Sequence, residues 1–291
     1  MSTDPIREND RQDIVEVEEE IYGDKLTKKQ PETIRLLFLN INSIPATNNS
    51  PKNDMLYQSI VASEADVIGM SETNRNWYQI DTDHRWHERT KGWFENSHTI
   101  LAHNTTDIES SSYQPGGNLL LSIGKASHRV IKSEKDPTGL GRWVSTRYRG
   151  RQNIVFRTIV AYRPCKSAGP NSSYMQQQRY FDIIGRNICP RKAIMDDLAE
   201  LVQQCHQRGE QVVLMMDCNN NVREDQFRNW ITSMGLIDGT YDLNHPTVPA
   251  TFHRGSNPID GLFLSESITN GSKKGISAIR FLPFRSQTIM G

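Results

Sequence analysis

Three apolar runs end in acids or amides: Leu39-Asn40-Ile41-Asn42, Met70-Ser71-Glu72-Thr73-Asn74 and Met216-Asp217-Cys218-Asn219-Asn220. A fourth run opens with its acid, Ile259-Asp260-Gly261. Taken singly, an Asn or Asp after a strand is ordinary turn chemistry. Their order and spacing together carry more. Strand alternation places Asn40 with Asn42, and Asp217 with Asn219, on one face. If the four ends converge, they form a pocket of carboxylate and amide oxygens with no thiol ligand. Such a pocket suits a hard cation, magnesium or manganese, and not zinc.

Convergence requires buried strands to carry those ends. Short apolar runs bounded by turn residues predict strands at 34–40, 66–70, 118–123, 142–148, 153–162, 211–216 and 259–265. Gly116-Gly117 introduces the third of these and Gly139 to Gly141 the fourth, and a turn at Gly150 precedes the fifth. Met55, Leu56, Ile60 and Val61 have helical spacing within 52–63. Pro190 opens the clearest helix, with Ile194, Leu198, Leu201, Val202 and Cys205 as its apolar stripe and Gly209 as its stop. A short helix over 226–235 closes on Gly235. Mixed α and β with many hairpins predicts sheets packed on one another and covered by helices.

Composition sets the bounds. The 291 residues suffice for one large domain, and no apolar run approaches the ~18 residues of a membrane span. The acidic N-terminus is neither a secretory signal nor a transit peptide. Four cysteines without CxxC spacing suggest no disulfide framework and fit a reducing compartment, so the expected location is nuclear or cytoplasmic, not secreted. Residues 1–32 read as a charged leader and 33–291 as the domain. The net charge of zero is divided: residues 1–33 carry ten acids against five bases, the remainder 29 bases against 24 acids. Within 125–166, eleven Lys/Arg face only Glu134 and Asp136. That imbalance is either the wet face of a hairpin or a phosphate-backbone track.

The succession "LFLNINSI", "VIGMSETN", "VAYRPC", "VVLMMDCNNN", "ATFHRGSNPIDGLFLS" resembles the endonuclease/exonuclease/phosphatase superfamily, the DNase I-like proteins, from about Ile34 to Ser265. Its finer wording is similar to retroelement-type endonuclease domains. The resemblance implies an α+β, two-sheet β-sandwich flanked by helices in four layers (α/β/β/α), with the active site at one end. It makes Glu72 the acidic ligand of a magnesium (or manganese) ion, with Asn40 and Asn42 helping to build the metal site. Asn42 stands where the family often has an Asp. Tyr162 is implied to contact the scissile phosphate, Asp217 to orient or deprotonate the attacking water, Asn219 to contact the phosphate in the transition state, and Asp260 to hydrogen-bond a catalytic histidine. These types suit phosphodiester hydrolysis, which needs charge offset on non-bridging oxygens, an activated water and a stabilised leaving group. An Asp close to a cation has a depressed pKa, which favours Asp217 as a water-positioning acceptor. Arg163, Arg179 and Phe252 are candidate substrate contacts.

In that family a final strand carries Ser-Asp-His, whereas this sequence ends "PFRSQTIMG". The resemblance thus places the histidine just past Gly291 and implies a domain without its last strand, impaired in hydrolysis. None of the eight histidines is an evident substitute. The five tryptophans are expected in the core. The leading expectation is a monomeric, magnesium-dependent nuclease acting on nucleic acid, most simply DNA, with a reverse transcriptase module in the parent gene. The alternatives are a small-phosphoester hydrolase of the inositol phosphatase or sphingomyelinase type, and an inactive remnant that only binds nucleic acid.

Overall fold

The computed structural model describes residues 28–29, 33–107, 111–239, 251 and 256–270. The leader 1–27, Phe252, His245, His253 and the ending 271–291, on which several expectations fall, lie outside the described residues. No helix among them is long and apolar enough to cross a membrane.

Two sheets form the centre. The smaller contains β1 (Leu36–Asn40), β2 (Val67–Ser71), β3 (Ser97–Ala102) and β4 (Asn118–Ile123) in the order β1-β2-β4-β3, with β1 and β2 parallel. The larger contains β5 (Val130–Lys135), β6 (Trp143–Arg149), β7 (Val155–Tyr162), β8 (Glu210–Asp217), β9 (Leu236–Asp238) and β10 (Asp260–Ser265) in the order β5-β6-β7-β8-β10-β9, with β7 and β8 parallel. Helix α1 (Pro51–Ser63) provides the crossover between β1 and β2. Helices α3 (Ser173–Ile183) and α4 (Pro190–Gln207) link β7 to β8. Helix α2 (Trp86–Trp93) precedes β3, and α5 (Asp225–Ser233) precedes β9.

Three apolar layers explain the near-continuous hydrophobic runs. Phe38, Val67, Leu120, Val144, Val160, Met215 and Leu262 meet between the sheets. Leu37, Leu39, Ile68 and Met70 point the other way, onto Leu56, Ile60 and Trp86. Ile159, Val212, Leu214 and Met216 face Ile194, Leu198, Val202, Phe227 and Ile231 from α4 and α5. Strands buried on both faces lose polar alternation. The sheets approach closely at Gly69, where an added Cβ would lie 2.7 Å from both Met215 and Val160. This is the expected α/β/β/α arrangement.

The helical stripe predicted on 52–63 is narrower than expected: Leu56 and Ile60 are buried, Met55 and Val61 exposed. Strand β3, strand β5 and helices α2 and α3 had no apolar periodicity strong enough to predict them. The tryptophans follow expectation, with Trp77, Trp86 and Trp143 buried and Trp93 and Trp230 packed against the core.

Several arginines of the basic stretch 125–166 are engaged within the fold. Arg142 is 1% exposed and ion-pairs with Asp136 at 2.7 Å and Asp197 at 2.7 Å. Arg157, also 1% exposed, binds Glu210 and Glu134. Arg147 reaches Glu210, and Lys132 reaches Glu134. The antiparallel hairpins carry Arg129, Arg149 and Arg151 to the opposite end of the large sheet from Tyr162, where they line a separate cavity of about 420 Å³, and leave Lys135 exposed toward the Tyr162 end. Eight residues of β7 separate the ends, roughly 25 Å.

Candidate active site

The chemistry-bearing ends meet. Strands β1, β2, β7 and β8 all finish at one end of the sandwich, and β10, antiparallel to β8, begins there. Register makes Asn40 the partner of Ser71, Tyr162 the partner of Asp217, and Asp217 the cross-strand partner of Asp260. Residues far apart in the chain are thereby fixed to adjacent positions by backbone hydrogen bonds.

Asn40 ties the two sheets together here. Its Nδ2 donates to Asp217 Oδ2 at 2.8 Å, and its amide also hydrogen-bonds Glu72. The Asn42 N–H in turn holds Asn40 Oδ1 at 3.0 Å. Glu72 follows β2 in left-handed backbone, φ 52°, and also receives the Tyr162 hydroxyl. Ser173 at the start of α3 hydrogen-bonds the same hydroxyl. Asp217 is fully buried, and its Oδ1 accepts the Asn219 N–H at 3.2 Å. The Thr251 hydroxyl accepts the N–H groups of Ile259 and Asp260 and hydrogen-bonds the Asp260 side chain. Asp260 Oδ1 is buried with no hydrogen-bond partner among the described residues.

The electrostatics carry one consistent sign. Burial, then Asp260, then Glu72 hold the Asp217 carboxyl well above the usual carboxylate range. Burial pushes Asp260 up to about 6. Burial also raises Glu72, against the hydrogen bonds from Tyr162 and Asn40. Burial and the charges of Glu72 and Asp217 raise the Tyr162 hydroxyl. At Asp217 burial, with the charges of Asp260 and Glu72, outweighs the hydrogen bonds from Asn219 and Asn40.

That excess of oxygen-borne charge fits a hard divalent cation. Among the described residues no three His, Cys, Asp or Glu side chains gather tightly enough to hold a metal by themselves. Magnesium does not require such a cage, since it commonly takes one or two carboxylates and retains several waters. Glu72 and the Asn40 amide are the residues that would hold it.

Two shared-face expectations fail for the same reason. Asn42 and Asn219 lie past the ends of their strands in left-handed backbone, φ 41° and 44°, so alternation no longer applies. Asn42 is exposed and its carbonyl accepts Lys52 Nζ at 2.9 Å. Asn219 stays at the site, with Nδ2 donating to the Arg163 carbonyl at 2.8 Å and Oδ1 accepting the Cys165 thiol at 2.8 Å. The two arginines expected to reach substrate are engaged within the fold. Arg163 donates to the carbonyls of Arg191 and Cys218, and burial and Arg191 lower its pKa to about 10. Arg179 pairs with Asp107, 2.9 Å from Nε. Sequence inspection missed Arg191, which braces the site by donating to the Pro164 and Asn219 carbonyls at 2.7 and 2.9 Å. It also missed Asn74, whose Oδ1 accepts the Gly116 N–H at 2.7 Å and so positions the double glycine against Tyr162.

No protein-family model matches the chain. No curated protein matches it in sequence. Solved structures do. The AP endonuclease LMAP from Leishmania major superposes with a TM-score of 0.63 at 12% identity, covering 86% of this chain and 85% of that one. The catalytic domain of Xenopus laevis APE2 gives 0.56 at 16% identity, covering 81% and 83%. The 3′ phosphatase NExo from Neisseria, bound to a product DNA hairpin, gives 0.52 at 15% identity, covering 82% and 89%. With its two sheets, flanking helices and strand ends gathered as described, this chain has the endonuclease/exonuclease/phosphatase fold, the DNase I-like sandwich.

Proposed function

We propose that the protein is a divalent-metal-dependent phosphodiester hydrolase of nucleic acid. The observation that carries this is the Asn40 amide bridging Glu72 and Asp217, with Asp217 in register with both Tyr162 and Asp260. The neighbours named above include AP endonucleases and an enzyme seen with DNA, which supports a nucleic-acid substrate. The retroelement-type wording of the sequence extends the proposal to an endonuclease acting beside a reverse transcriptase module.

Each residue has a stated task. Glu72 and Asn40 are the residues that would hold the cation, which would supply Lewis acidity to the phosphate under attack. Asp217, its two oxygens fixed by the Asn40 amide and the Asn219 N–H, orients the attacking water and accepts its proton. The second N–H of Asn219 is a neutral donor for a non-bridging phosphate oxygen, and the Tyr162 hydroxyl becomes another once it turns from Glu72 to the substrate. Asp260 backs Asp217 across the strand pair.

Nicking of supercoiled plasmid in magnesium, with EDTA as control, tests the assignment. Asp217→Asn is expected to slow nicking by about 10²–10⁴-fold. Nicking that persists in EDTA, or an unaffected Asp217→Asn, would refute it. The internalised arginines favour a second reading, a compact phosphoester substrate that needs no long basic surface. A steep fall of affinity with salt excludes that reading, since polyanion binding releases counterions.

A further inference from the structure

A cavity of about 510 Å³ lies beside the proposed centre, lined among others by Trp77, Tyr78, Arg85, His103 and Lys135. This volume lies in the range of small-molecule sites. Its lining includes Ala102 and His103, which close β3 at the same end of the small sheet at which β2 leads into Glu72. Gly117 lies between this lining and Thr73: a Cβ there would lie 2.6 Å from Thr73 Oγ1, 3.0 Å from the Ala102 carbonyl and 3.7 Å from His103 Cα.

Its walls combine an aromatic face with cations. A 3-10 turn, Trp77–Gln79, follows Asn76, whose side chain accepts the Tyr78 N–H at 3.2 Å. The turn buries Trp77 and leaves Tyr78 64% exposed. The Tyr78 and His103 rings form a T-shaped pair with centroids 5.0 Å apart, and the exposure of Tyr78 leaves ring surface available to a planar group. Arg85 is anchored through Nε to the Ile80 carbonyl at 3.2 Å, and Lys135 is exposed at the end of β5. Burial and the nearby Lys135 lower His103 to about 4, so near neutral pH the positive charge comes from Arg85 and Lys135. The acid in the lining, Asp136, is already paired with Arg142. Trp77 Nε1 and His103 Nε2 are buried in the wall with no hydrogen-bond partner among the described residues.

We propose that this cavity seats one unpaired nucleotide of the substrate strand, its base stacked on Tyr78 and its phosphate between Arg85 and Lys135. The proposal rests on the nucleic-acid reading above and deepens it. The base must be unpaired because a paired base has its faces covered by neighbours in the stack.

Fluorescence anisotropy without divalent metal, so that turnover does not interfere, tests the pocket. The probes are a labelled oligothymidylate of eight nucleotides and a base-free deoxyribose-phosphate oligomer of equal length. Wild type is expected to bind the base-bearing strand about tenfold more tightly. Tyr78→Leu is expected to erase that preference and Tyr78→Phe to keep it. Lys135→Ala is expected to weaken both and to reduce the salt slope by about 0.7. Equal wild-type affinity for the two strands, or a preference surviving in Tyr78→Leu, overturns the pocket alone. Failure to bind either strand overturns the pocket, and only failure to bind duplex DNA as well overturns the nucleic-acid reading.

Discussion

Asp217 and Asp260 are directly opposed on the antiparallel pair β8 and β10, and Asp260 is among the causes that raise the Asp217 carboxyl. Like charges in that position are ordinarily destabilising. Their juxtaposition in a buried setting costs stability unless a cation or a proton intervenes.

The first prediction concerns pH. Asp260 has a folded pKa of about 6 against an ordinary value of 3.8, and Asp217 and Glu72 are shifted the same way. A raised folded pKa contributes stability that is fully present below the unfolded value and is lost as pH rises through the folded value. The Tm of the metal-free protein is therefore expected to fall between pH 4 and pH 7, and magnesium to raise it more at pH 7.5 than at pH 5. Asp260→Asn is expected to stabilise the metal-free protein at pH 7 by roughly 1–3 kcal/mol. Thermal melts with and without EDTA check this, and a flat profile would show that these acids titrate at their ordinary values in the folded protein.

A second prediction separates metal affinity from chemistry. Asn40 orients Glu72 and Asp217 without supplying charge. Asn40→Ala is expected to raise the magnesium concentration for half-maximal nicking by about 10–100-fold, the usual effect of losing an orienting partner. An unchanged magnesium titration would remove Asn40 from the site.

Burial makes Arg157 a stability residue, not a substrate contact. It donates to Glu210 at 2.7 Å, Glu134 at 2.6 Å and Ser145 at 2.9 Å. Arg157→Ala leaves buried Glu210 short of a partner and is expected to cost about 3–5 kcal/mol. Urea denaturation measures this, and a loss below 1 kcal/mol would contradict the assignment.

Gly117 has φ +86°, and an added Cβ would press on Thr73 Oγ1 and the Ala102 carbonyl. Gly117→Ala is expected to cost roughly 1–3 kcal/mol and to lower nicking, because Thr73 adjoins Glu72. Wild-type stability and rate in that variant would show the contact to be slack.

The strands that carry the chemistry were legible because they are buried on both faces, as the runs around Phe38, Ile68, Leu120 and Leu214 show. Polar half-buried β5 and the Gln-rich α3 were not, because their order comes from tertiary partners such as the Gln176 hydrogen bond to Asn104, 2.8 Å. At the site, Asn40, Glu72, Asp217 and Asp260 stood out by their positions at strand ends, whereas Tyr162 came only from the family resemblance. The arginines were not legible: Arg142 and Arg157, counted within the basic stretch, are drawn inward by Asp136, Asp197, Glu134 and Glu210, and the candidate contacts Arg163 and Arg179 are engaged by carbonyls and Asp107. Tyr78 went unnoticed, since only the turn that buries Trp77 exposes it.

Titration with Mn²⁺, followed by the electron paramagnetic resonance signal of the free ion, tests most directly whether these oxygens share one hard cation. Wild type is expected to take up a single Mn²⁺ per chain near neutral pH, and Glu72→Gln to lose it. A chain that leaves the signal undiminished, or a Glu72→Gln variant that binds as wild type does, would contradict the account.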